Sequence, residues 1–206
     1  MKNFSEETKD DIITLFAKHG IDTVIVEHLF PNSATREDQL CIFFEFYSFV
    51  NSRNICVSDD GKSGIIWYPP RDGFVIPPFI DLYKNHPYLM EFGVKAVSRL
   101  ITYYSWSNGF KKKLITEEDY YYIVFIASYI KDSDNNPIRS SSLDELFLPM
   151  IEKARNDGIN IYLDTFTEST IPFLGEYGFK LFHKSLLPGT ELTKYYLKLD
   201  TKSITS

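Results

Sequence analysis

The run from Tyr120 to Ile130 constrains this chain more than any other stretch of it. Its residues are β-branched and aromatic, which favours a strand. Its lack of polar alternation predicts a central strand covered on both faces, and it is too short to cross a bilayer. A polar loop, Lys131 to Asn136, and Pro137 follow it. A helix comes next, with the apolar stripe Leu143, Leu146, Phe147, Met150, Ile151 and Ala154 and a stop at Gly158. Ile159 to Thr165 reads as a strand and Ser169 to Tyr177 as a short helix. Phe179 to Lys184 and Thr193 to Leu199 read as two more strands. This order predicts an α/β chain built on one mixed sheet.

The first half reads as helices followed by a hairpin. Ser5 to Lys18 predicts a helix with Ser5 as its cap and Glu6 and Glu7 at its positive end. Ile12, Leu15 and Phe16 share one face, and Gly20 is the stop. A second helix is expected to begin near Thr35, where Thr35-Arg-Glu-Asp38 has the look of a capping arrangement; Leu40, Phe43, Phe44 and Tyr47 then recur at helical spacing. Strands Asn54 to Ser58 and Ser63 to Tyr68 flank the turn Asp59-Asp60-Gly61-Lys62, and Pro69-Pro70 ends the second strand. From Arg71 to Asn108 the pattern is helical but broken by Pro77, Pro78 and Pro87. Its best helix runs from Tyr88 to Tyr104, and Asn108-Gly109 reads as a turn before Lys111, Lys112 and Lys113. Nothing resembling a linker divides the 206 residues, so one domain is expected: helices and hairpin over 1–70, a helical insert over 71–118 and a second half over 119–200.

Composition excludes several function classes. Apolar residues at 44% and charged residues at 24% suit a globular chain. The formal charge of −6 argues against a nucleic-acid partner, which calls for a basic face. Cys41 and Cys56 are too few for a disulfide framework or a zinc site, so no metal is expected. Met1 to His19 is charged and amphipathic, unlike a signal peptide, so a cytoplasmic protein without a membrane partner is expected.

Leu148 to Ala154, Gly158 to Thr165, and Ile171-Pro172-Phe173 with Gly178-Phe179, taken in this order, resemble segments of the GNAT acetyltransferases, and of puromycin N-acetyltransferase and its relatives in particular. Leu148-Pro149-Met-Ile-Glu-Lys-Ala154 resembles that group's helix, including a proline inside it. Gly158-Ile-Asn-Ile-Tyr-Leu-Asp-Thr165 is similar to the strand pattern G-x-P-x-Y-L-E-x, and Ile171-Pro172-Phe173 with Gly178-Phe179 to x-P-F-Y-x-x-x-G-F. Phe30-Pro31, Arg36 and Gly64-Ile-Ile-Trp67-Tyr-Pro-Pro70 agree more loosely. The likeness covers nearly the whole chain and implies a mostly antiparallel mixed sheet flanked by helices.

The resemblance also implies acetyl-CoA, or CoA, as the cofactor. Its pantetheine arm would lie along Phe125, Ile126, Ala127 and Ser128, bonded through the backbone. The family's diphosphate loop, Q/R-x-x-G-x-G/A, is matched by Pro137-Ile-Arg139-Ser140-Ser141-Ser142-Leu143, in which every glycine is missing. Arg139 either stands for the leading Q/R or is a shifted neighbour. The serines either bind phosphate at the helix N-terminus, or Ser142 caps the helix with Glu145 completing a capping box. Asp144 and Glu145 would compete with an anion there. The tyrosine that commonly protonates the departing thiolate is matched by Leu174; Tyr177, one turn on, is either its substitute or a core residue. Thr170 stands where the family has an asparagine beside the pantetheine. Asp164 is either a general base for an amine or the cap of the following turn. Glu27, His28 and Glu45 lie on the acceptor side by analogy. Lys111 to Lys113 either reach the ribose phosphate or form a solvated charge run.

Three functions follow. The first is acyl-CoA-dependent N-acetyl transfer to a small amine in a ternary complex. The second is a catalytically degenerate GNAT fold, a pseudoenzyme serving as a binding or regulatory module. In the third, another ligand occupies the cleft, lined by the aromatics of Tyr83 to Tyr104. The sequence leaves the oligomeric state open, between a single chain and a homodimer paired through an exposed last strand.

Overall fold

In the computed structural model, which describes residues 2–3, 8–20, 23–70, 93–133 and 137–201, the aromatic run becomes the strand Tyr121–Ser128 at the middle of a seven-stranded sheet. In chain order the elements are β1 (Lys2–Asn3), α1 (Lys9–Gly20), α2 (Val24–Leu29), α3 (Arg36–Asn51), β2 (Ile55–Val57), β3 (Ser63–Tyr68), α4 (Gly93–Leu114), β4 (Tyr121–Ser128), α5 (Ser141–Asp157), β5 (Ile161–Thr165), α6 (Thr170–Glu176), β6 (Lys180–Leu186) and β7 (Thr193–Leu199). The strands lie in the order β1-β2-β3-β4-β5-β7-β6. Among the described residues only β4 and β5 pair in parallel, and every other neighbouring pair is antiparallel. The sheet is therefore mixed and mostly antiparallel, as expected.

Strand alternation divides the core between two faces. On β2, Ile55 and Val57 point to one side and Cys56 to the other; on β3, Ile66 and Ile65 divide in the same way. One face packs under α1, α3 and α4 through Leu15, Phe16, Leu40, Phe44 and Leu100. The other packs under α5 and α6 through Leu146, Phe147, Met150, Phe173 and Leu174. Both faces of β4 are covered, which is why its sequence shows no polar side. Gly64 lets α1 approach closely: a Cβ there would sit 3.0 Å from the Phe16 ring.

Four expectations change. Asn108-Gly109 is no turn, because α4 continues through it to Leu114. A Cβ at Gly109 would meet nothing, so that residue faces outward, while Phe110 stacks on Tyr196 at 5.5 Å. Burial of this face outweighs the ~1 kcal/mol that glycine costs a helix. Secondly, β7 lies between β5 and β6, so the last strand is interior and cannot pair with another subunit; β1 and β6 are the edges. Thirdly, α2 occupies a stretch for which no helix is expected from sequence. Fourthly, Lys111 is half-buried in the last turn of α4, while Lys112 and Lys113 are exposed. The expected cap Ser5 and residues 71–92 of the insert lie outside the described residues.

Candidate functional site

Register opens a cleft between β4 and β5. β4 and β5 pair only at Tyr121↔Ile161, Tyr122↔Tyr162 and Ile123↔Leu163. β4 continues, still paired with β3 as far as Ser63↔Ser128, but the register slips between Ile66 and Trp67, leaving Val124 with no opposite residue. Such a bulge bends its strand and leaves the extra residue outside the ladder. It falls immediately after the last β4–β5 pair, so the outer half of β4 parts from β5. A cavity of about 180 Å³ fills the wedge between them, lined by Val124, Phe125 and Ile126 on one side and by Asp164, Thr170 and Leu174 on the other.

His19, in the last turn of α1, closes one wall of this cavity. Its Nδ1 lies 3.3 Å from the carbonyl oxygen and 3.4 Å from the amide nitrogen of Ser128, so it engages the β4 edge facing away from β3. Burial, helped by nearby Lys131, pushes the imidazole pKa down to about 4, against the backbone contact at Ser128 that raises it. His19 is therefore neutral near pH 7, and one ring nitrogen is an acceptor.

Behind the cavity lies a buried polar network. Asp164 Oδ1 is 2.7 Å from Lys194 Nζ, with the lysine side chain 1% and the aspartate 14% exposed. The Tyr122 hydroxyl donates to the other Asp164 oxygen. Lys194 also donates to Ser107 Oγ at 2.7 Å and to the Tyr103 hydroxyl at 3.3 Å, which uses its three protons. The rings of Tyr103, Trp106, Phe166 and Tyr196 surround the ammonium at 5.1–5.7 Å. Lys111 Nζ stands 4.3 Å over the Tyr122 ring, and burial pushes its pKa down to about 8. A second cavity of about 80 Å³, walled by Phe43, Tyr103, Tyr104 and Phe125, reaches the same three charged groups from the α2–α3–α4 side.

The N-terminus of α5 is arranged differently. Its cap is Ser140, whose hydroxyl oxygen accepts from the Leu143 amide at 3.3 Å, so the capping frame begins two residues before Ser142 and the expected box with Glu145 does not form. Ser142 Oγ instead donates to Asp60 Oδ2 at 2.7 Å. Glu145 accepts from the Asp59 amide at 3.1 Å. Arg139 Nε donates to Asp144 Oδ1 at 2.9 Å, and the Tyr177 hydroxyl donates to the same oxygen at 2.9 Å. The hydroxyls of Ser142 and Ser58 and the Lys62 amide hold the Asp60 carboxyl down at about 2, so it is ionised.

The sequence-derived residues thus fall into two groups. Phe125, Ile126, Asp164 and Thr170 meet around one cavity, with Leu174 beside them. Ala127 is fully buried, and Ser128 touches His19. Arg139, Ser140, Ser141, Ser142 and Leu143 lie together at the α5 N-terminus. Tyr177 belongs with this second group, its ring stacked on Phe147 at 4.4 Å. Glu27 pairs with Arg36, and Glu45 with Lys9. The His28 carbonyl accepts from Arg99. His19, Lys194, Tyr122 and Val124 are the site residues to which the sequence assigns no functional role. Among the described residues no group of His, Cys, Asp and Glu is arranged to hold a metal, and no helix is long and apolar enough to cross a membrane.

No family model matches the sequence, and no curated protein matches it. Solved structures do. An acetyltransferase from Corynebacterium glutamicum, described as histone acetyltransferase HPA2 and related acetyltransferase, is 13% identical with a TM-score of 0.61, covering 96% of this chain and 93% of its own. An N-acetyltransferase from Staphylococcus aureus is 16% identical with a TM-score of 0.59, covering 96% of this chain and 98% of its own. A variant of an agmatine N-acetyltransferase is 9% identical with a TM-score of 0.55, covering 96% and 97% respectively. At such identities the likeness is one of architecture, and the architecture of this chain is that of the GNAT acetyltransferases.

Proposed function

We propose that the protein transfers an acyl group from a thioester to a small amine, with both substrates held in the β4–β5 cleft. The observation that carries this reading is the parting of β4 from β5 at the Val124 bulge, beside a cavity. An extended, amide-bearing arm can add to such an edge as another strand would. The fold likeness supports the same reaction class, and the name of one neighbour specifies a small amine, agmatine.

Acetyl-CoA is the donor that the family resemblance implies. Its pantetheine arm fits the β4 edge. Its diphosphate does not fit the α5 N-terminus, where Asp60, Asp144 and Glu145 are gathered and no glycine opens the backbone. The chemistry is therefore drawn for the thioester alone. The amine nitrogen attacks the thioester carbonyl carbon, a C–N bond forms, the C–S bond breaks, and the amine proton passes to the thiolate through a base or water. A backbone amide on the β4 edge left free beyond Ile123 would polarise the carbonyl oxygen. Both Asp164 oxygens are engaged, by Lys194 and Tyr122, and burial makes the His19 imidazole a weak base, so a water is the readier proton carrier. Leu174 supplies no proton to the thiolate, so turnover would lack the ~10²–10⁴-fold help of a general acid, and holding the two substrates together would supply most of the rate.

One observation favours a second reading. The carboxylates at α5 together with Leu174 fit a catalytically degenerate binding or regulatory module. Thiol release from S-acetyl-pantetheine and from acetyl-CoA, measured with agmatine and with an arylalkylamine, separates the two. Amine-dependent release supports transfer. Donor binding without release under any amine supports the module, and a failure to bind either donor refutes the transferase reading.

A further inference from the structure

A phosphate at a helix N-terminus needs open amides, close backbone approach and a positive field. The α5 N-terminus offers the reverse. The Leu143 amide is held by Ser140. The Ser142 hydroxyl is given to Asp60, a carboxylate delivered by the β2–β3 turn, so an internal anion already stands where an external one would bind. Asp144 lies within the first turn, and Glu145 joins that turn to Asp59. The cations nearby are engaged: Arg139 with Asp144 at 2.9 Å, and Lys62 with Asp60 at 4.0 Å. Moving Arg139 onto a phosphate would leave Asp144, which also holds the Tyr177 hydroxyl, without its cation. Lys131, bridged to Pro137, is the remaining cation on the described part of the preceding loop, and Asp132 follows it.

We infer that this protein recognises its acyl donor through the pantetheine arm alone and excludes the nucleotide diphosphate from α5. Its donor class is then an acyl thioester on a pantetheine-type arm whose far end gains no favourable contact at α5 and, where it carries a diphosphate, is weakly repelled by the carboxylates there. This rests on the acyl-transfer reading of the cleft. The size of the cavity agrees: about 180 Å³ is below the ~300–1,000 Å³ of sites that enclose drug-sized ligands and suits a narrow chain.

Calorimetry on the whole chain tests this with acetyl-CoA and S-acetyl-pantetheine, each at low and moderate salt. The two donors are expected to bind within about threefold of one another, and acetyl-CoA to tighten as salt rises, because screening weakens repulsion between like charges. Asp60→Asn, whose amide oxygen still accepts from Ser58 and Lys62 and whose NH2 group donates to Ser142 Oγ in place of the bond that Ser142 now donates, is expected to tighten acetyl-CoA by about threefold or more at low salt while leaving S-acetyl-pantetheine unchanged. Acetyl-CoA binding ten times or more tighter than S-acetyl-pantetheine, and weakening with salt in the usual manner of phosphate contacts, overturns the inference and leaves the transferase reading standing. An Asp60→Asn variant with unchanged acetyl-CoA affinity also overturns it. If neither donor binds, the transferase reading falls and takes the inference with it.

Discussion

Asp164→Asn should be among the most damaging substitutions outside the apolar core. The change retains shape but removes the charge opposite Lys194, which is 1% exposed and 2.7 Å from the carboxylate. An ammonium left buried without its partner costs roughly 3–5 kcal/mol. For a chain of this length each kcal/mol lowers Tm by about 2–4 °C, so the variant should melt about 6–20 °C below the parent. Lys194→Met should be milder. It leaves Asp164, which is 14% exposed and keeps the Tyr122 hydrogen bond, and the methionine fills the aromatic box around the former ammonium. Combining the two should recover part of the loss, with a coupling of about 2 kcal/mol or more, because two groups in direct contact are not additive. Urea unfolding of parent, single and double variants closes the cycle. An Asp164→Asn penalty under about 1 kcal/mol, or strictly additive penalties, would show that the pair is hydrated and that Asp164 is free for proton transfer.

Three other outcomes follow from the structure. His19 has a folded-state pKa near 4 against about 6.5 unfolded, so the unfolded chain holds the extra proton between these values. Stability should accordingly be lost as pH falls from about 6.5 towards 4, by about 2 kcal/mol after allowing for the partial exposure of the ring; denaturant titrations across that window should show a flatter profile for His19→Gln. Gly64→Ala places a Cβ 3.0 Å from the Phe16 ring, and unfolding experiments should show about 1–3 kcal/mol of overpacking. Ser140→Ala removes the cap from Leu143 and should cost about 1 kcal/mol; if Ser142 were the cap instead, thermal melting of Ser140→Ala would match the parent.

Local physics made much of the architecture legible. The β4 run, the α5 stripe closed by Gly158 and the turn at Asp59 to Lys62 each carry their conformation in adjacent residues, through burial, periodicity and turn chemistry. Features set by distant partners were not legible. Asn108-Gly109 has turn chemistry, yet Phe110 on one side of it and Ser107 on the other are held against β7 and Lys194. Lys194 and Lys198 alternate with apolar residues as on a solvated strand face; α4 covers that face at Lys194. His19 finds Ser128 across 109 positions of sequence. Three successive serines before Leu143 are chemically alike, so only coordinates distinguish the capping Ser140 from Ser142, which is turned to Asp60.

The two parts of the proposed donor site rest on different determinants, so one can be open while the other is filled. The cleft is a backbone feature. It needs a register slip at Val124 and an end to pairing at Ile123↔Leu163, and many apolar residues satisfy both. The α5 N-terminus is a side-chain feature. Its capacity for an anion depends on glycine leaving amides bare and on the first turn lacking carboxylates, conditions that a few residues reverse. Ser140, Asp144 and the Ser142–Asp60 bond reverse them here. A chain of this architecture can thus keep the edge that receives an extended arm while giving up the grip on a nucleotide, and the salt dependence of donor binding reads the two apart.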